Sequence, residues 1–175
     1  MHYIGNGENI TNPKGNTTCY AMFHNFEGTS LDLSKFDTSN VTDMSFMFFY
    51  CNNLKTLYLE NFITKNVVNM SGMFFNCESL EYLDVPNFNI QNVECMNRMF
   101  MGCKSLKELD ISSFYIGNIK ILNDIFFNCK NLKTLEVGSD CLQFFLDHRV
   151  LLKIWNKVNI IPVNKLDKAI EDLFY

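Results

Sequence analysis

No run of apolar residues in this chain approaches the roughly 20 that a helix needs to cross a bilayer, so membrane insertion is not expected. Basic residues are not in excess either. With 15 Lys and Arg against 19 Asp and Glu, the net charge is -4, and a chain of this sign has no electrostatic grip on nucleic acid or an anionic membrane surface. Histidine is scarce. His2, His24 and His148 share no spacing, and none of the seven cysteines forms a C-x-x-C pair, which removes the usual zinc patterns. A nucleophile–base pair would need a histidine held beside a Ser, Cys or Thr, and these three fall in separate parts of the chain. Glycine-rich phosphate loops are missing too. These absences predict a non-enzyme with no catalytic residue, no metal and no cofactor. Nor does the sequence after Met1 show a signal-peptide pattern.

What the chain has is a period. Cys51, Cys77, Cys103 and Cys129 stand 26 residues apart, and the apolar residues between them move in step. Leu54, Leu80, Leu106 and Leu132 form one column; Leu57, Leu83, Leu109 and Leu135 form the next; Leu59, Val85, Ile111 and Val137 form a third. A phenylalanine column (Phe36, Phe62, Phe88, Phe114) and an asparagine column (Asn40, Asn66, Asn92, Asn118) follow. After each Asn comes Val41-Met44-Met47-Phe48 or its equivalent, the last residue recurring as Phe74, Phe100 and Phe126. Such self-similarity marks a solenoid, in which one unit cannot bury its own apolar face and stacks on its neighbours. With 175 residues, 47% of them hydrophobic, the chain can bury a core as one elongated domain.

Each repeat divides by its spacing. Leu57-Tyr58-Leu59 alternates as a short strand does. Val41, Met44, Met47, Phe48 and Cys51 recur at steps of three and four, which predicts a short helix, with the preceding Asn as its cap. The expected fold is an α/β solenoid of about five rungs, with a short parallel β-sheet on one face, short helices on the other and a helical C-terminal cap. Residues 1–17 form an N-terminal cap segment and 18–138 the solenoid. Residues 139–175 form the helical cap, with Leu142, Phe144, Phe145 and Leu152 in a first helix, a break at Pro162, and Leu166, Ile170, Leu173 and Phe174 on a last one.

The stretch Leu-Asp-Leu-Ser-Lys-Phe-Asp-Thr-Ser-Asn-Val-Thr-Asp-Met-Ser-Phe-Met-Phe, Leu31 to Phe48, resembles the BspA-like leucine-rich repeats. It is closest in pattern to their Met-Phe-x-x-Cys variant, first noted in mycoplasma surface lipoproteins. The resemblance implies a leucine-rich-repeat solenoid that binds other proteins, often at a cell surface and often in adhesion. It carries over no catalytic residue, because the matching positions are core positions. The family's lipid-attachment cysteine and anchor are not seen in this sequence. A surface or secreted location would follow from a leader already removed, whereas reduced cysteines favour an intracellular compartment. The cysteine column itself reads as small, soft filling on the inner face, since a buried column does not point its Cβ atoms at one another as a disulfide requires. The sequons at Asn40 and Asn69 fall inside the repeat and are not expected to carry glycans.

The expected site is the outward face of the sheet. Its middle column is Asp32, Tyr58, Asp84, Asp110 and Glu136; the preceding one holds Tyr82 and Glu108, and the following one Glu60. These eight residues are the candidate partner-binding set. The face carries six carboxylates and no Lys or Arg, although Lys55, Lys107 and Lys133 occupy the next column. Like charges on rungs about 4.8 Å apart are expected to raise one another's pKa unless a cation or a basic partner is present, and the two tyrosines supply interface anchors. A protein partner with a basic surface is the leading reading; the bland one makes the Asp of each rung a solvated residue. Two others rest on different residues. An aromatic ridge of Phe49, Phe75, Met101 and Phe127 on the helical side would serve self-association as a homo-oligomer, unless it merely packs between coils, and the carboxylate column would serve cation binding.

Overall fold

A computed structural model describes residues 10–85, 87–154 and 157–164. Within them the chain winds as a parallel solenoid. Strands β1 (Ser30–Asp32) and β2 (Thr56–Tyr58) pair in register, Leu31 opposite Leu57 and Asp32 opposite Tyr58. Strands β3 (Glu108–Ile111), β4 (Thr134–Gly138) and β5 (Asn159–Val163) form a second parallel sheet. Between the two sheets lies the third rung, 81–85, which forms no strand and joins neither ladder. Even there the alternation holds: Leu83 and Val85 are buried while Tyr82 and Asp84 are exposed, because burial of every second residue depends on the coil's course and not on ladder pairing.

From Thr18 to Gly138 the opposite side carries no helix. Where the steps of three and four predict helices, the chain makes linked turns. Met47, Phe49 and Cys51 donate their N–H groups to carbonyls three residues back, whereas Met44, Phe46, Phe48 and Tyr50 donate to Asn69, Ser71, Met73 and Phe75 of the next coil. Bridges Thr18–Asp43, Asp43–Asn69, Asn69–Cys95 and Cys95–Ile121 carry this ladder through five successive coils. Two positions per coil are left-handed. One column is Ala21, Phe46, Gly72, Arg98 and Asp124, with φ from 48 to 60°, and the other is Asn25, Tyr50, Asn76, Gly102 and Asn128, with φ from 55 to 78°. A left-handed residue ends a helix, so two of them in so short a segment forbid one. Each non-glycine there costs about 1 kcal/mol, offset by inter-coil bonds that a short isolated helix, marginal in water, would not make. At Gly102 an added Cβ would meet the Asn76 side chain of the preceding coil, which would have to shift.

The asparagine column therefore caps no helix. Asn66, Asn92 and Asn118 donate from Nδ2 to the carbonyls of Ser39, Lys65 and Gln91 on the preceding coil. Asn61 and Asn87 do the same to Ser34 and Glu60.

Between the two sides lies the core. Phe23, Phe48, Phe74, Phe100 and Phe126 stack face to face with centroids 5.5–5.7 Å apart and planes within 10°. Each cysteine of the 26-residue column donates its thiol to a carbonyl of the preceding coil: Cys51 to Phe23, Cys77 to Phe48, Cys103 to Phe74 and Cys129 to Phe100, at 3.0–3.2 Å. The Met-Phe-x-x-Cys motif is thus one device, in which Met and Phe fill the core and the Cys three places after the Phe satisfies the previous coil's Phe carbonyl. All seven cysteines are free thiols. Burial pushes Cys77 and Cys103 well above the usual thiol range and Cys129 up to about 12.

The winding does not stop at Gly138. Residues 139–163 make one more coil with different filling: helices α1 (Leu142–Asp147) and α2 (Arg149–Leu152) replace the turns, and β5 adds a rung beside β4. Leu151 and Leu152 offer the carbonyls that Asp124 and Phe126 need, and Cys141 donates to Phe114. Pro162 sits inside β5 instead of breaking the chain, paired opposite Val137; β5 borders the sheet of the described residues, and a proline is tolerated where its missing N–H faces outward. The expected last helix, with Leu166, Ile170, Leu173 and Phe174, lies outside the described residues.

Candidate functional site

The strand register sorts the eight predicted residues. Asp32 and Tyr58 are opposite one another on β1 and β2; Glu108, Asp110 and Glu136 lie on β3 and β4, Asp110 opposite Glu136. The column does not stay acidic at the end, because Ile161 of β5 follows Glu136. At the interrupted rung the surface sinks. A depression of about 410 Å³ opens there, lined by Tyr58, Glu60, Tyr82 and Asp84 together with Lys55 and Asn87. A second, of about 440 Å³, adjoins it through Glu60 and Asn87. The structure therefore gathers four of the eight predicted residues into one concavity and leaves Asp32, Glu108, Asp110 and Glu136 on its flanks.

Two features of this face depart from the sequence-based picture. The carboxylates are not simply mutual repellers. Asp32 Oδ1 accepts the backbone N–H of Ser34 at 2.9 Å, and Asp110 Oδ1 that of Ser112 at 2.8 Å. The Ser34 N–H and hydroxyl hold Asp32 below the usual carboxylate range, the reverse of the expected rise, because hydrogen bonds to the charged form outweigh a rung neighbour that is a tyrosine. Two residues beyond Asp84 stands Pro86, a residue with no backbone N–H. The face is also not free of cations: Lys55 lines the depression. Lys107 pairs with Glu81 at 3.1 Å and Lys104 with Glu78 at 2.7 Å. The sequence signal for Lys55 and Asn87 was their place in the 26-residue columns, but nothing in a periodic pattern says where the sheet will open.

The ridge on the other side packs coil to coil. Phe49 and Phe75 are half-buried with centroids 5.1 Å apart, Tyr50 lies 5.8 Å from Phe75, and Phe46 meets Phe49 edge-on. Met101 is half-buried as well, and Phe127, 44% exposed, is the one open member. Among the described residues no group of three His, Cys, Asp or Glu side chains is placed to hold a metal ion, and no helix is long and apolar enough to cross a membrane.

A family model described as Mycoplasma protein of unknown function, DUF285, matches residues 17–137. The chain belongs to this family. The DUF285 match begins where the turn-side ladder begins, at Thr18, spans all four cysteines of the 26-residue column and all eight candidate residues, and ends before α1. The repeat and the candidate residues thus lie within the matched stretch, and the helices of the last coil lie beyond it. No curated protein matches the chain, and no solved structure does.

Proposed function

We propose that this DUF285 solenoid is a non-enzymatic protein-binding module of the BspA-like leucine-rich-repeat type, and that its site is the sheet face centred on the interrupted third rung. The observation that carries this reading is the depression itself. It opens where the ladder is broken, and it is walled by two tyrosines, 44% and 68% exposed, and by the carboxylates of Glu60 and Asp84. Exposed tyrosines beside a concavity are what interfaces use as anchors. The flanking carboxylates of Asp32, Glu108, Asp110 and Glu136 make a basic protein surface the fitting partner, one drawn in by charge and held by the rings. Adhesion at a cell surface is the setting that the leucine-rich-repeat resemblance suggests for such a module.

The rival readings have less to stand on. Self-association through the ridge would use rings that already pack against one another, and cation binding would need a gathered ligand set. The test is reversal of Asp84, Asp110 and Glu136 to Lys together, with the immobilised wild-type chain and the triple variant compared for what each retains across a salt series. The proposal expects retention of a basic protein by the wild type, lost in the variant and weakening as salt screens the attraction. Equal retention of that protein by the triple variant would move the site off the sheet.

A further inference from the structure

We infer that the corner leading from the turn side into the last strands is a docking surface for a short acidic segment of a protein partner; this goes beyond the sheet-face reading and does not depend on it. Two columns of the repeat run along this corner. One passes from Glu78 to Lys104, Lys130 and Lys157, the other from Glu81 to Lys107 and Lys133. Backbone bonds tie the second column coil to coil, the Lys133 N–H to the Lys107 carbonyl at 2.8 Å and the Asn159 N–H to the Lys133 carbonyl at 2.7 Å. Both columns therefore change sign along the solenoid axis, from carboxylates beside the third rung to ammonium groups after it.

The lysines fall into two sets. Lys104 and Lys107 are each neutralised by a glutamate of the coil before, Glu78 and Glu81. Lys130, Lys133 and Lys157 are exposed and have no ion pair among the described residues. The Lys157 ammonium donates to the Lys130 carbonyl, which draws the cation of the last coil onto its neighbour. Three positive charges without a carboxylate thus share one corner, and an anionic ligand relieves their mutual repulsion. A short acidic peptide fits this surface better than a nucleic acid or an anionic membrane. The unpaired cations span a single coil step, about 4.8 Å. Glu78 and Glu81 lie further along the same columns, and Glu108 stands opposite Thr134, the residue after Lys133. A long polyanion or a flat lipid surface would run onto those carboxylates and would sense the whole molecule, whose net charge is -4. A few carboxylates in contact sense chiefly the lysines within a Debye length, about 8 Å.

The experiment uses the full chain, labelled for backbone NMR and titrated with N-acetyl-tetraglutamate amide. The uncharged isostere, N-acetyl-tetraglutamine amide, serves as control, and a long thymidine homopolymer and phosphatidylserine vesicles are compared at matched anionic charge and equal ionic strength. Saturable shifts from the glutamate peptide are expected at residues 130–133 and 157–159, none from the glutamine peptide, and weaker binding of the polymer and the vesicles. The triple variant Lys130→Gln, Lys133→Gln, Lys157→Gln should weaken the glutamate peptide by about tenfold or more, since three exposed charge contacts are lost together, while the spectrum of the other coils stays unchanged. The double variant Lys104→Gln, Lys107→Gln should change it by less than about twofold, because those cations already have partners. Absence of saturable shifts, equal shifts from the glutamine peptide, equal or tighter binding of the polymer or the vesicles, full affinity in the triple variant, or an equal loss in the double variant would each overturn the inference. The corner and the sheet face fail separately, because the titration reads only the lysines and the retention test only the carboxylates.

Discussion

The two sides of the solenoid are built on different rules. On the turn side, backbone hydrogen bonds run from coil to coil without a gap from Thr18 to Ile121, and the phenylalanine stack and thiol ladder lie immediately beneath. On the strand side the ladder is made of short pieces and fails altogether at 81–85. The coils stay in register across that gap because other bonds span it: the Thr64 hydroxyl accepts the Asn89 N–H at 2.7 Å and donates to the Asn89 carbonyl at 3.0 Å, and Asn87 reaches the Glu60 carbonyl. Winding is thus secured on one side, which leaves the other free to open. Repeat proteins distribute stability over neighbouring units; here that distribution is uneven across the section of a single coil.

The sharpest way to break this comparison is to cut into the core on each side. Phe74→Ala removes the central ring of the stack, which has neighbours at 5.5 and 5.7 Å, and should cost about 3–5 kcal/mol. Leu83→Ala, on the interrupted rung, should cost less, about 2–3 kcal/mol, and the exposed Asp84→Ala within about 0.5 kcal/mol. Urea denaturation orders the three. A Leu83 cost equal to or above that of Phe74 would erase the distinction between the sides.

The thiols probe the same contrast kinetically. Buried and with raised pKa values, Cys77, Cys103 and Cys129 should resist alkylation in the native protein at mildly alkaline pH and react only as the fold opens. Cys95, half-buried, should react first. Mass mapping of labelled peptides over time, and again after denaturation without reductant, checks the order. Early labelling of Cys77 would show that the turn side opens readily.

Thr64→Val tests the bonds that hold the broken side. It leaves the Asn89 N–H without its acceptor and should destabilise by about 1–3 kcal/mol. It should also disturb the amide signals around 82–87 more than those of β3 and β4. A neutral result would mean that the third rung is held by something other than these corner bonds.

The smallest expected change has the opposite sign. Arg98 is exposed and left-handed at φ 58°, so Arg98→Gly should raise stability by about 0.5–1 kcal/mol through relief of that conformation. A loss instead would mean that the Arg98 side chain contributes more than its backbone costs.

Much of this architecture was legible in the chain. The 26-residue columns name the core, because a residue recurring at every coil and always apolar has only the interior to occupy: Leu54, Leu57, Phe74, Met70 and Cys77 are all buried as the pattern requires. Which residues of each strand face outward followed from the same alternation. The turn side was misread for a reason of geometry. Steps of three and four put Val41, Met44, Met47, Phe48 and Cys51 inside equally well for a helix and for linked turns with left-handed corners. The sequence clue was faint: Gly72 shares a column with Phe46 and Arg98, and Gly102 one with Tyr50 and Asn76. The added last coil was hidden because α1 and α2 do the work of the turns without repeating their residues.

By itself the sequence determined the period, the buried columns, the solenoid and the acidic, tyrosine-bearing character of one face, all of them consequences of local spacing and apolar burial. The tertiary structure alone decided where backbone bonds run between coils, that the Met-Phe-x-x-Cys cysteines serve as thiol donors to the previous coil, and that the sheet opens at the third rung. Those depend on which groups meet from residues some 25 positions apart, and a hydrogen bond is settled by distance and direction in space, which a pattern of residue types does not carry.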